Sequence, residues 1–275
     1  MHYVNLVFGG IVGAVLLPFR GLSPWFGMAV VSALTALLML EVYKLASDQA
    51  AIRRAKDRIK AHLLEMRLYR DDLGVTLRAQ AGILKANLGY LAANLRPLAV
   101  MIVPLVLILA QLGLWYDRAP LAPGEQTLVK ARLADGADPV ALGLELEAPP
   151  GVEITAPAVR IPDEREVVWR VRAVVPGVHV LRLRTGGAAL AKTLTVGGRP
   201  LTRVSALASR GSLGDRLLHP GEPPLPGDTA VRSVEVLYRP ASLRAFGLRV
   251  HWLVAYLALS VAVGFALKGA FKVEI

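Results

Sequence analysis

Three stretches, about Pro24 to Tyr43, Pro97 to Tyr116 and Val250 to Leu267, meet the requirement of ~20 mostly apolar residues for a helix that crosses a membrane's hydrocarbon layer. Inside lipid every backbone N–H and C=O must be satisfied within its own segment, so such stretches are expected as helices with the rest of the chain organised around them. Aromatic residues stand where headgroups belong. Trp25 and Phe26 open the first stretch, Trp115 and Tyr116 close the second, and His251 and Trp252 open the third. Hydrophobic residues make up 54% of the 275, above the roughly 45–50% of soluble domains, which agrees with a membrane class. An earlier apolar run, Val4 to Phe19, is shorter and is interrupted by Gly9, Gly10 and Gly13. It lacks the basic flank and small-x-small cleavage site of a signal peptide. It reads as an interfacial or re-entrant helix ended by Pro18 and the Arg20-Gly21 turn, with a short fourth span as the alternative.

The formal net charge of +11 is concentrated beside these stretches. Between the first two lie Lys44, Arg53, Arg54, Lys56, Arg58, Lys60, Arg67, Arg70, Arg78, Lys85 and Arg96, against Asp48, Asp57, Glu65, Asp71 and Asp72. Such a bias places the segment in the cytoplasm. The first span then runs outside to inside, the second returns, and the third leaves Lys268 and Lys272 on the cytoplasmic side. Direct nucleic-acid binding is the weaker account of the charge. Within the segment Ile52, Ala55, Ile59, Leu63, Met66, Leu73, Leu77, Leu84, Leu88, Leu91 and Leu95 recur mostly at three- and four-residue steps, the period of a helix. Both ends must reach the same membrane surface, so a turn is expected near Asp71-Asp72-Leu73-Gly74. The result is an antiparallel hairpin whose apolar seam closes on itself. Its outer surface carries Arg53, Arg54, Lys56, Arg58, Lys60, Arg67 and Arg70, which are either simply solvated or available to a partner.

After the second span the pattern changes from helical to alternating. Gln126–Leu133, Ala141–Glu147, Glu166–Val175, Val178–Thr185 and Ala188–Val196 read as strands, with Pro149-Pro150-Gly151 and Pro176-Gly177 as turns. Several short strands at this spacing predict an immunoglobulin-like sandwich with Trp169 in its core. The fold class is therefore membrane α-helical, with about three transmembrane helices and a cytoplasmic helical hairpin, plus an all-β extracytoplasmic domain. The expected order is an interfacial or re-entrant helix (1–22), a transmembrane helix (23–45), the basic hairpin (46–96), a second transmembrane helix (97–116), and the β-sandwich (117–197). A linker with one further strand near Val231–Tyr238 (198–249), a third transmembrane helix (250–268) and a cytoplasmic tail (269–275) complete it.

Catalytic signatures are lacking. The sequence has no phosphate-binding glycine loop, no HExxH, no nucleophile elbow and no cysteine. Its histidines, His2, His62, His179, His219 and His251, are dispersed, so neither a metal, a cofactor nor an enzyme activity is expected. Polar residues in or beside the spans carry more information, because they are costly in hydrocarbon. They are Ser32, Thr35 and Glu41 in the first span, Asn87, Asn94, Arg96 and Gln111 leading into and within the second, and Ser260 in the third. Glu41 also suits a contact with water or Lys44, and Arg96 a snorkelling anchor. Asn87, Asn94 and Arg96 together suit a polar vestibule open to the cytoplasm.

The residues Leu45-Ala46-Ser47-Asp48-Gln49, Tyr69-Arg70-Asp71-Asp72, Asn94-Leu95-Arg96-Pro97-Leu98 and Met101-Ile102-Val103-Pro104 follow one another in this order of spans and hairpin. The arrangement resembles the YidC/Oxa/Alb superfamily of membrane insertases, and within it the three-span branch of archaeal YidC-like proteins and the core insertase subunit of the endoplasmic reticulum membrane protein complex. The resemblance covers about Pro24 to Tyr116, with the β-domain as an addition. It implies an insertase or chaperone in a prokaryotic plasma (inner) membrane that passes client membrane proteins through a groove open to lipid and cytosol, without nucleotide hydrolysis. Its partners would be the lipid bilayer and client membrane proteins; a third and weaker reading, drawn from the Lys and Arg of the hairpin themselves, docks the hairpin on ribosomal RNA of the ribosome. The alternative is a non-catalytic scaffold subunit of a membrane complex whose sandwich binds an extracytoplasmic protein partner.

Overall fold

The computed structural model describes residues 2–185, 188–211, 213–245 and 247–271, so Lys272 lies outside the described residues. The chain divides into two compact units, Met1–Val31 with Val106–Ala255, and Ser32–Leu105 with Tyr256–Ile275. Four helices come first: α1 (His2–Leu16), α2 (Pro24–Ala46), α3 (Gln49–Leu68) and α4 (Leu73–Tyr116). Two of them, α2 with 23 residues and α4 with 44, are long and apolar enough to cross a membrane. The chain ends in α6 (Trp252–Leu267), whose 16 residues extend about 24 Å and fall short of the ~30 Å hydrocarbon thickness. The third expected span is therefore apolar but short, and the stretch Val7–Phe19 is shorter still than a crossing requires.

In the unit that holds α3, aspartates start both arms of a helical hairpin. The Asp48 carboxylate accepts from the Ala51 N–H at 2.8 Å, and that of Asp72 accepts from the Val75 N–H at 3.1 Å. Such caps satisfy amides that the first helical turn leaves open. Gly74 consequently lies inside α4, and the turn is Tyr69–Asp72 rather than a stop at Gly74. The seam also differs from expectation. Ile52, Ala55, Ala79 and Ala86 are buried, whereas Leu63, Leu73, Leu77, Leu84, Leu88, Leu91 and Leu95 stay exposed. The arms meet where the His62 ring sits over Gly82, on which a Cβ would come within 2.6 Å of that ring. The leucines fall on the opposite face. Nor does a boundary fall between hairpin and span at Pro97, since α4 continues through both Pro97 and Pro104. Each ring removes one intrahelical donor, yet the flanking apolar turns keep the helix unbroken.

The other unit contains the sheets, formed by β1 (Gln126–Leu133), β2 (Glu145–Glu147), β3 (Val152–Ile154), β4 (Val159–Ile161), β5 (Glu166–Ala173), β6 (Gly177–Thr185), β7 (Ala188–Val196), β8 (Leu207–Ser209) and β9 (Val231–Val236). One sheet runs β3-β5-β1-β9-β8 with β4 also on β5, and a second runs β2-β6-β7, all antiparallel. Val129, Val167, Trp169 and Val171 of the first sheet share one core with Leu181, Leu183, Leu190 and Leu194 of the second. The segment 141–144, expected as strand, is a turn followed by irregular chain, and Gly143 adopts a φ of 58° that ordinary residues disfavour. The largest departure concerns residues 198–249, expected as a linker with one further strand. They supply β8, a short helix α5 (Leu213–Leu218), β9, and a hairpin of β10 (Leu243–Ala245) and β11 (Leu248–Val250). Strand β9 sits beside β1 within the main sheet, Val129 opposite Val236 and Ala131 opposite Val234.

A cation completes this core. Lys192 lies at an inward position of β7, flanked at two-residue spacing by the buried Leu190 and Leu194, and is itself fully buried. Its Nζ donates to Glu222 Oε1 at 2.5 Å and to the Ser205 carbonyl at 2.8 Å. Glu222 also accepts from the Thr193 hydroxyl at 2.6 Å and the Thr193 N–H at 3.2 Å. Burial pulls the Lys192 pKa below the usual lysine value, and the Glu222 carboxylate opposes that pull. The cluster ties the segment that follows α5 to the second sheet.

Candidate functional site

In the unit of Ser32–Leu105 and Tyr256–Ile275, α2, α4 and α6 leave a groove of about 370 Å³ between them. Residues Ala36, Met39, Leu40 and Tyr43 of α2 form one wall at helical spacing. Leu91, Asn94, Leu95, Leu98, Met101 and Leu105 of α4 form the second, and Leu257, Val261, Gly264 and Phe265 of α6 belong to the third. The lining is mostly apolar, and its few polar groups fall at two places.

At one, the Tyr43 hydroxyl donates to Asn94 Oδ1 at 2.5 Å, while Asn94 Nδ2 donates to the Tyr90 carbonyl at 2.7 Å. Both ends of the Asn94 amide are thus used within the groove wall. At the other stand Thr35, Tyr256 and Ser260, all lining the groove. Thr35 and Tyr256 are buried, and Thr35 and Ser260 lie beside the Tyr256 ring hydroxyl. Neither Tyr256 Oη nor Ser260 Oγ completes a well-formed hydrogen bond. Both hydroxyl oxygens are buried, so Thr35, Tyr256 and Ser260 form a small polar cluster within the wall of an otherwise apolar groove.

Of the residues expected to line a client groove, Thr35 and Asn94 do so. Ser32 is buried behind the wall, its hydroxyl donating to the Tyr256 carbonyl at 3.4 Å. Glu41, Asn87 and Arg96 are exposed and do not line it. Successive helical residues turn by about 100°, which sets Glu41 well away from Met39 and Tyr43 and sets Arg96 on the far side of α4 from Asn94. Asn87 precedes the groove and returns its amide to the Ile83 carbonyl at 3.0 Å. Gln111 belongs to the other unit, where it is buried against Gly9 and donates to the Asn5 carbonyl at 3.2 Å. Sequence reasoning missed Tyr43 and Tyr256. Their spacing from Met39 and Ser260 carries the signal, but only a knowledge of which helix faces meet turns it into a site.

On the hairpin, Arg53, Arg54, Arg58, Lys60, Arg67 and Arg70 are exposed and Lys56 is half-buried. Arg54 and Arg70 have acidic neighbours, Asp48 at 4.0 Å and Asp71 at 3.8 Å. Beside this basic surface the exposed leucines of α4 form a stripe: Leu77, Leu84, Leu91 and Leu98 recur every seventh residue, with Leu88 and Leu95 between them. Leu91, Leu95 and Leu98 belong to both stripe and groove. Among the described residues no group of His, Asp and Glu is arranged to hold a metal.

No family model matches the sequence, and no curated protein matches it. Among solved structures, the crystal structure of the S-layer protein rSbsC(31-844) aligns with 29% of this chain and 12% of its own, at 14% identity and a TM-score of 0.23. A likeness of that size carries no argument.

Proposed function

We propose that the chain is a membrane protein insertase or chaperone of the YidC/Oxa/Alb type, held in a prokaryotic inner membrane with its hairpin in the cytoplasm and an immunoglobulin-like β-domain outside. The observation that carries this reading is the groove between α2, α4 and α6, into which the leucine stripe of α4 leads. An apolar client segment would travel along Leu77, Leu84 and Leu88 and enter beside Leu91, Leu95 and Leu98. A polar group it carries would pass beside Asn94 and the polar cluster of Thr35, Tyr256 and Ser260, surroundings less costly for it than hydrocarbon. No step requires nucleotide hydrolysis. The basic residues of α3 provide a surface for acidic client flanks or for the ribosome.

A photo-crosslinker placed at Leu95 or Val261 should capture newly made membrane proteins, whereas one at the outward-facing Glu41 should capture lipid. Depletion of the protein should lower the abundance of the captured clients. Adducts of lipid alone at all positions, with an unchanged membrane proteome, would sink the reading. A second reading, a scaffold subunit that binds an extracytoplasmic partner, draws on the apolar patch of Val174, Val175, Val178 and Val180, which remains exposed around the β5–β6 turn. It expects a stoichiometric complex after mild solubilisation.

A further inference from the structure

Four arginines, Arg118, Arg239, Arg244 and Arg249, line a cavity of about 440 Å³ in the unit that holds the sheets, and among the described residues no acidic one lines it with them. Trp115, Ser242 and Thr202 share the lining. Two of the four have acids of their own: Arg118 lies 2.9 Å from Asp117, and Arg239 lies 3.8 Å from Glu125. Arg244 and Arg249 are exposed and make no ion pair among the described residues. They also stand directly opposite each other across the β10–β11 hairpin, an arrangement in which like charges destabilise. That hairpin is a two-stranded sheet of three-residue strands joined to no other strand, the kind of ribbon with little stability to lose. Trp25 anchors it through an Nε1–H donated to the Arg244 carbonyl at 2.9 Å.

A bridging anion would turn this repulsion into attraction, and we propose that the cavity binds the phosphate of an anionic lipid headgroup. Guanidinium forks suit phosphate oxygens, because two parallel N–H donors meet two acceptors. The surroundings indicate the source of the phosphate. Trp25 near the start of α2, Trp115 near the end of α4 and Trp252 at the start of α6 stand at the ends of apolar helices, the level at which tryptophan meets headgroups. Trp115 lines the cavity, and Trp252 follows the hairpin by two residues. The choice of lipid over free phosphate rests on the membrane reading above.

The test uses the full-length protein in detergent, with native mass spectrometry reading the retention of phosphatidylglycerol, phosphatidylcholine and inorganic phosphate. Phosphatidylglycerol should bind at least about tenfold more tightly than phosphatidylcholine, a modest value for two charge-assisted contacts. The double variant Arg244→Gln with Arg249→Gln should erase the preference, while Arg160→Gln with Arg170→Gln, of equal charge change on exposed strand positions, should keep it. Arg244→Lys with Arg249→Lys retains the charge without the fork and should show an intermediate preference, which guards against misfolding of the first variant. Equal affinity for the two lipids, or an unchanged preference in the Gln variant, would overturn the site. Competition by inorganic phosphate at lipid-like concentrations would overturn the lipid source. Flotation with vesicles separates the two readings: a chain that floats yet shows no preference refutes the site alone, and one that stays behind after an alkaline wash refutes the membrane reading.

Discussion

Lys192 shows how much a single side chain can carry in this protein. It occupies an inward position of β7 between Leu190 and Leu194, where alternation calls for an apolar residue, and it survives there because Glu222 and the Ser205 carbonyl accept its hydrogen bonds. Breaking such a buried pair from one side leaves an uncompensated charge, at about 3–5 kcal/mol. Glu222→Ala is therefore expected to destabilise the β-domain by that amount in chemical denaturation of the full-length protein followed by circular dichroism. Lys192→Met with Glu222→Leu should recover much of the loss. What remains, about 1–3 kcal/mol, reflects the Thr193 N–H and hydroxyl, which lose their acceptor in both cases. A double variant no more stable than the single would show that the charge pair is not what holds the loop. The clue was present in the sequence, since Lys192 shares its parity with Leu190 and Leu194. Its partner, thirty residues away, was not, because no local pattern marks Glu222.

Among the elements, α4 departs most from its sequence pattern. The helical period of Leu77, Leu84, Leu88, Leu91 and Leu95 identifies one face, and the natural inference is that this face closes the hairpin. Packing instead buries Ala79 and Ala86, and His62 fills the space that Gly82 leaves. A leucine at position 82 would separate the arms. Gly82→Leu should cost about 1–3 kcal/mol of hairpin stability and accelerate amide exchange along α3 on the order of tenfold. Adding His62→Ala should return part of the protection. Exchange unchanged by Gly82→Leu would mean that the two arms do not depend on this contact. The leucines left outside are the same ones that lead into the groove, so the packing of small residues in the hairpin and the exposure of the leucine stripe have one cause.

For the whole molecule, everything functional depends on sidedness, and the absence of cysteine from the sequence makes it directly measurable. Single cysteines at Arg67 of the hairpin and Arg170 of β5 should respond oppositely to a membrane-impermeant maleimide: Arg170→Cys labels in intact cells, and Arg67→Cys only after lysis. The reverse pattern would remove the cytoplasmic hairpin and with it the insertase reading. The amino-acid sequence alone determined the apolar stretches, the asymmetry of charge, the two helical arms and the strands Gln126–Leu133 and Ala188–Val196, because periodicity and composition are local properties of the chain. Tertiary structure alone decided which face of α4 is buried, that Tyr43 joins Asn94 and Tyr256 joins Thr35, and that β9 lies beside β1. Those are contacts between distant residues, chosen by complementary shape and by the satisfaction of polar groups, and neither is written in the period of any one segment.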